Sequence, residues 1–164
     1  MKILIAAALA AGLAFIAPAA HAHVPRADIA TVATNAGQFQ TLLAAANAAG
    51  LVPTLRSRGP LTVFAPTDAA FSRLPAGTVQ RLLRPENRGE LRRILAYHVV
   101  PGRVTASDLS GVRQRVRTVA GPSVRVDGRR GVVVNDARVV RADIGARNGV
   151  IHVIDRVLLP PAQH

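Results

Sequence analysis

An α+β fold with a mostly antiparallel sheet is predicted by three features. Helical periodicity fills the first half of the chain, short β-branched runs between Gly and Asn turns fill the second, and one apolar strand interrupts the helices. From Ile29 to Leu51, the residues Ile29, Val32, Ala33, Ala36, Phe39, Leu42, Leu43 and Ala46 fall near helical spacing, with Gly37 dividing the stretch in two. Gly50 closes it, and Leu51, Val52 and Leu55 add a turn around Pro53. Arg56–Pro60 is a polar loop. Leu61–Ala65 then reads as a buried strand stopped by Pro66, where Thr67 or Asp68 caps a short helix carrying Ala69, Ala70 and Phe71.

Leu74-Pro75 breaks the chain before one or two helical turns at Thr78–Leu83. Pro85 opens a further helix in which Leu91, Ile94 and Leu95 form an apolar stripe, Arg88, Arg92 and Arg93 face water, and the end falls near Tyr97. His98-Val99-Val100 is a brief strand cut by Pro101-Gly102, and Thr105–Asp108 has the form of a capping box with Asp in place of Glu. Strands follow at Val112–Val119, Ser123–Val126, Val132–Val134, Arg138–Val140 and Val150–Leu158. In the last of these, alternation sets Ile151, Val153 and Asp155 on one face and His152, Ile154 and Arg156 on the other. Such a strand is apolar on both sides and belongs in the centre of a sheet.

The ends and the composition narrow the function classes. Residues 1–22 carry one charge, Lys2, then an apolar run from Ile3 to Ala17 and the small-residue pattern Ala20-His21-Ala22, the form of a secretory signal peptide removed after Ala22. Residues 23–26 then form a flexible leader, 27–160 a single domain and 161–164 a tail, with no membrane span left after signal removal. Localisation is expected to be secreted or periplasmic. With no cysteine, neither disulfides nor thiol chemistry operates, and stability rests on packing. Lys2 is the sole lysine among 21 basic residues, set against 9 acidic ones for a formal charge of +12. That balance attracts polyanions. Few aromatic residues interleave with the arginines, which argues against specific single-stranded nucleic acid.

Three segments carry a family likeness: Gly59–Pro75 (GPLTVFAPTDAAFSRLP), Tyr97–Gly102 (YHVVPG) and Gly149–Pro160 (GVIHVIDRVLLP). In this order and spacing they resemble the signature boxes of a fasciclin-like domain, over about Ala27 to Pro160. The resemblance implies a helical layer packed on a wedge of two mostly antiparallel β-sheets, with the last box returning to pair near the first. It also implies a binding module without catalysis, acting in cell adhesion or extracellular matrix and envelope association, with no cofactor. A carrier of a small apolar ligand, held between helices and sheets, is the alternative function that the family offers.

Candidate residues follow from both sources. Tyr97 and His98 occupy the Tyr-His position that the resemblance associates with integrin contact in animal matrix relatives. Read from its neighbours alone, His98 beside two valines is a buried ring bonded to backbone or a carboxylate. Arg26-Ala-Asp28 and Arg141-Ala-Asp143 lack the glycine of an Arg-Gly-Asp loop. Thr67 and Asp68 are read as helix caps. His152 and Asp155 lie three apart and face opposite sides of a strand, which argues against a shared metal or acid/base role. Arg113, Arg115 and Arg117 alternate, so a strand displays all three on one face as a basic ridge, extended by Arg125, Arg129 and Arg130 across a hairpin. Arginine forks suit phosphate, sulfate or carboxylate groups, so the expected partner is an envelope or extracellular protein or an anionic glycan. The chain shows no nucleophile elbow, no glycine-rich phosphate loop ending in Lys and no His pair at helical zinc spacing. No metal site is proposed from it.

Overall fold

The computed structural model describes residues 27–161; the expected signal peptide, the leader and the tail beyond Pro161 lie outside the described residues. The helices are α1 (Ile29–Ala36), α2 (Gln40–Ala49), α3 (Val52–Leu55), α4 (Asp68–Ser72), α5 (Thr78–Leu82), α6 (Arg88–Ala96) and α7 (Ala106–Leu109), with a 3-10 turn at Pro85–Asn87. The strands are β1 (Leu61–Pro66), β2 (Val99–Pro101), β3 (Arg113–Arg117), β4 (Ser123–Asp127), β5 (Val133–Val134), β6 (Ala137–Ala146) and β7 (Gly149–Ile154). They pair as a 7-stranded sheet in the order β2-β1-β7-β6-β5-β4-β3. Every pairing is antiparallel except β1 with β7, which runs parallel from Leu61 opposite Gly149 to Pro66 opposite Ile154. The last segment thus pairs directly with the first strand.

Those two strands are buried along their whole length, and their alternation feeds two cores. Val63, Ala65, Ile151 and Val153 face the helical layer, where Phe39, Leu42, Leu91, Ile94 and Leu95 pack. Phe64 and Ile154 point the other way, into a second cluster with Tyr97, Leu109, Val124, Val126 and Val134. The sheet therefore folds over on itself, with β3–β5 covering the far side of β1 and β7. Two register shifts in β6, between Val139 and Arg141 and between Arg141 and Ile144, mark the bend. Asp143 sits there with φ 58°, a left-handed conformation that Asp tolerates better than most residues. Just past β3, the Val119 amide reaches back to the Val99 carbonyl of β2 at 2.8 Å.

The helical layer follows the sequence reading closely. Gly37 and Gly50 end α1 and α2 in the left-handed conformation, and α3 supplies the turn around Pro53. Thr67 caps α4 through the Ala70 amide at 3.1 Å, and Thr105 with Asp108 forms the capping box on α7. Asp68 does something else. Its carboxylate accepts from the Thr41 amide at 2.8 Å, at the first turn of α2, where the apolar Phe39 side chain at the cap position makes no capping hydrogen bond. The residue expected to cap its own helix caps a distant one.

The strand limits also differ from expectation. The final strand ends at Ile154 rather than Leu158, because the Asp155 carboxylate takes the Arg138 amide at 2.8 Å and the chain then leaves the sheet. Conversely, β6 runs to Ala146, well past Val140, since its bulges break the alternation that would have revealed it. Asn148 joins the pieces. Buried between β6 and β7, it accepts from the Ile29 amide at 3.0 Å and donates to the carbonyls of Leu55 at 2.8 Å and Ser57 at 2.7 Å. Gly149 beside it lies so close to β1 that a Cβ there would collide with the Leu61 carbonyl.

Two substitutions test this account. Asp68→Ala is expected to lower the stability by ~1 kcal/mol through loss of the α2 cap, with Asp68→Asn recovering most of it, as read by the urea midpoint at constant slope. Gly149→Ala forces backbone against backbone at the parallel pair and is expected to cost more than ~3 kcal/mol; a midpoint shift as small as that of Asp68→Ala would count against the close approach.

Candidate functional site

An arginine face arises from the β3–β4 register. On the inner side, Val124 and Val126 are fully buried in the second core, which fixes the rotation of β4. On the outer side, Arg113 stands opposite Asp127, Arg115 opposite Arg125, and Arg117 opposite Ser123, with all four arginines exposed. Arg129 and Arg130 follow in the turn after β4, and with Arg113, Arg125 and Arg138 they line a groove of about 690 Å³. The residues of the expected ridge are thus brought together, and Arg138 joins them. Its place depends on the two-residue turn Asn135-Asp136, which sets Ala137 opposite Val134 and Arg138 opposite Val133. That Asn-Asp pair was the available signal for it.

Among the described residues, Asp127 is the one carboxylate lining that groove. Arg129 grips it with Nε at 3.1 Å, Nη2 at 2.9 Å and its own amide at 3.1 Å, and Arg113 adds Nε at 3.3 Å. Hydrogen bonds from the Arg129 side chain and backbone, with Arg113 behind them, hold this carboxyl well below the usual carboxylate range. The same contact raises Arg129 above its ordinary value. Asp127 therefore stays ionised and committed. Among the described residues, no ion pair involves Arg115, Arg117, Arg125 or Arg130.

Between helices and sheet, the apolar hollow lined by residues such as Leu42, Leu51, Leu55, Val63, Leu95 and Val99 measures about 30 Å³. Small-molecule sites span roughly 300–1,000 Å³. A lipid or pigment could enter there only if the layers parted.

Tyr97 and His98 lie inside, 3% and 1% exposed, so neither presents a surface to a partner unless the fold opens. The Tyr97 hydroxyl donates to the Ser123 carbonyl at 3.3 Å and accepts from the Asn135 side chain at 3.0 Å, tying α6 to the outer hairpin. His98 donates from Nδ1 to the Ile94 carbonyl at 2.7 Å and accepts at Nε2 from the Leu158 amide at 2.8 Å. His152 makes a comparable pair: Nε2 meets the Val104 carbonyl at 2.7 Å, Nδ1 accepts from the Asp143 amide at 3.2 Å, and the ring stacks on Phe64. Asp155 lies beyond the end of β7, on the Arg138 amide and 3.7 Å from Arg73, and does not share the His152 environment.

Burial is the main reason that His98 is pushed down to about 4 from an ordinary 6.5, against the smaller opposing pull of the Ile94 carbonyl. Between those values the unfolded chain takes up a proton that the folded chain refuses. Stability contributed by the neutral ring is thus fully present above pH 6.5 and lost as pH falls toward 4, by up to ~3 kcal/mol. Equilibrium unfolding across this window, with imidazole resonances followed by NMR, is expected to show that slope and a His98 signal still neutral at pH 5. Titration of His98 near its ordinary value in the folded state would remove the basis for it.

Residues 37–160 match the Fasciclin domain family. The chain is 52% identical over 134 residues to Protein sll1483 of Synechocystis sp., covering 81% of this chain and 73% of that protein. It is 37% identical over 152 residues to the cell surface glycolipoprotein MPB83 of Mycobacterium bovis, covering 89% of this chain and 66% of that one. Among solved structures, the FAS1 domain pair of the insect cell adhesion molecule Fasciclin I superposes with a TM-score of 0.71 at 22% identity, over 84% of this chain and 52% of that one. The two-core fold, with its first and last boxes paired side by side, and the family match over most of the chain agree: this protein belongs to the fasciclin domain family.

Proposed function

We propose that this chain is an exported, non-catalytic binding module that works in adhesion or in envelope and matrix association, with an anionic partner seated against the arginine face of β3 and β4. One observation carries the reading: four arginines share one exposed sheet face, and the only acidic side chain opposite them is bound to Arg113 and Arg129. Among the described residues, Arg115, Arg117 and Arg125 make no ion pair, so their charges are available to a partner. The buried Tyr97 and His98 serve the core in this reading, and recognition falls to the exterior.

Support also comes from the relatives. MPB83 is a cell surface glycolipoprotein, and Fasciclin I is a cell adhesion molecule. No helix among the described residues is long and apolar enough to cross a membrane. An acidic glycan is the favoured partner, because guanidinium forks pair bidentately with its charged groups.

The test is retention on immobilised anionic glycan and on isolated cell envelope as salt is raised. The native protein is expected to bind at low ionic strength and to elute with increasing salt. Replacing Arg113, Arg115, Arg117 and Arg125 together by Gln is expected to weaken binding at least about tenfold while the protein stays folded, with an unfolding midpoint no lower than the native one. Absence of retention at low ionic strength, or equal retention by the substituted protein, would refute the reading.

A further inference from the structure

The backbone hydrogen bonds define what kind of cross-strand pair Arg115 and Arg125 form. At one end of the β3–β4 ladder the Gly128 amide donates to the Val112 carbonyl at 2.8 Å, and at the other the Thr118 amide donates to the Pro122 carbonyl at 3.3 Å. Counting inward in steps of two, the even-numbered residues of β3 occupy the hydrogen-bonded positions. Arg125 agrees, since its amide donates to the Asn135 side chain at 2.8 Å and its carbonyl accepts from the Asn135 amide at 2.7 Å, both on the β5 side. Arg115 and Arg125 are therefore a non-hydrogen-bonded pair, the type in which opposed Cα atoms come closest, ~4.5 Å apart.

Like charges in that position repel and weaken the sheet. The adjacent pair, Arg113 with Asp127, has the same geometry and opposite charges, so the contrast lies in the side chains alone. Asp127 cannot relieve the mismatch because Arg113 and Arg129 occupy it. A hollow of about 370 Å³ lies here, lined by Arg113, Gln114, Arg115 and Arg125.

We propose that the Arg115–Arg125 pair is the seat of one tetrahedral oxyanion, a sulfate or phosphate group carried on the glycan of the preceding section. This deepens that reading and rests on it. Each guanidinium fork needs two oxygens for bidentate pairing. A tetrahedral oxyanion offers several edges and can serve both forks at once. A carboxylate offers one edge, which serves one fork and leaves the repulsion in place.

The experiment compares the full chain with Arg115→Gln, Arg125→Gln and, as a surface control, Arg92→Gln on α6. Thermal unfolding is followed at low ionic strength with chloride, acetate, inorganic sulfate or inorganic phosphate at matched ionic strength. In chloride, Arg115→Gln and Arg125→Gln are expected to raise the midpoint by about 2–4 °C by removing the repulsion, and Arg92→Gln to leave it unchanged. Sulfate and phosphate are expected to raise the native midpoint beyond acetate, and this gain to vanish in the Arg115 and Arg125 variants. A lowered midpoint for both variants in chloride, an oxyanion gain they retain, or acetate equal to sulfate would each overturn the seat.

A second arm uses sulfated polysaccharide, phosphorylated polysaccharide and a carboxylate-only polysaccharide as immobilised probes. The native chain is expected to prefer the first two by about tenfold, and Arg125→Gln to lose that preference. Oxyanion-dependent stabilisation without retention on any glycan would uphold the seat and refute the binding role. Retention that Arg125→Gln leaves intact would uphold the role and refute the seat.

Discussion

The parallel pairing of β1 with β7 is the constraint on which the rest of this structure depends. Parallel neighbours cannot be joined by a tight turn, and the connection between them is the long stretch of residues 67–148. Within that connection lie α4–α6, which cover one face of the pair, and β3–β5, which cover the other. A strand pair clothed on both sides must be apolar in successive residues. Leu61–Pro66 and Gly149–Ile154 are buried throughout, the one polar ring among them, His152, being satisfied at both nitrogens.

Much of this was legible in the residues. Helical spacing, the punctuation at Gly37 and Gly50, and the double-sided apolarity of the last strand each report a local cause, and each appears where expected. The interactions that escaped detection are those whose partners are far apart in sequence. Asp68 looks like the cap of the helix it begins, and nothing nearby reveals that the bare start of α2 is within reach. The length of β6 was hidden by bulges that disrupt the period-two pattern. At the arginine face, alternation gave the exposed side of β3, whereas the facing of Arg115 by Arg125 and the occupation of Asp127 required the strand register.

The molecule separates its polar chemistry into two regimes. Inside, His98, His152, Tyr97 and Asn148 have fixed partners in neighbouring elements and join parts of the chain that hydrophobic packing alone would leave free to slide. Outside, charge is displayed with little compensation, where high dielectric makes individual pairs weak and collective attraction dominant. Exterior arginines can therefore be exchanged at little cost to the fold, while interior polar groups cannot. On the proposed reading, recognition and architecture are carried by different residues.

Asn148 is followed by Gly149, the dipeptide in which the next backbone nitrogen attacks a side-chain amide with least hindrance, converting asparagine to aspartate through a cyclic imide. In the native state the side chain is immobilised by Ile29, Leu55 and Ser57, so ring closure is blocked. Each visit to the unfolded state releases it. A carboxylate formed there would return to face two carbonyl oxygens in place of the amide that bound them. Deamidation at this position is thus coupled to unfolding, and a chain altered there lacks the amide that ties the start of α1 and the end of α3 to the turn before β7.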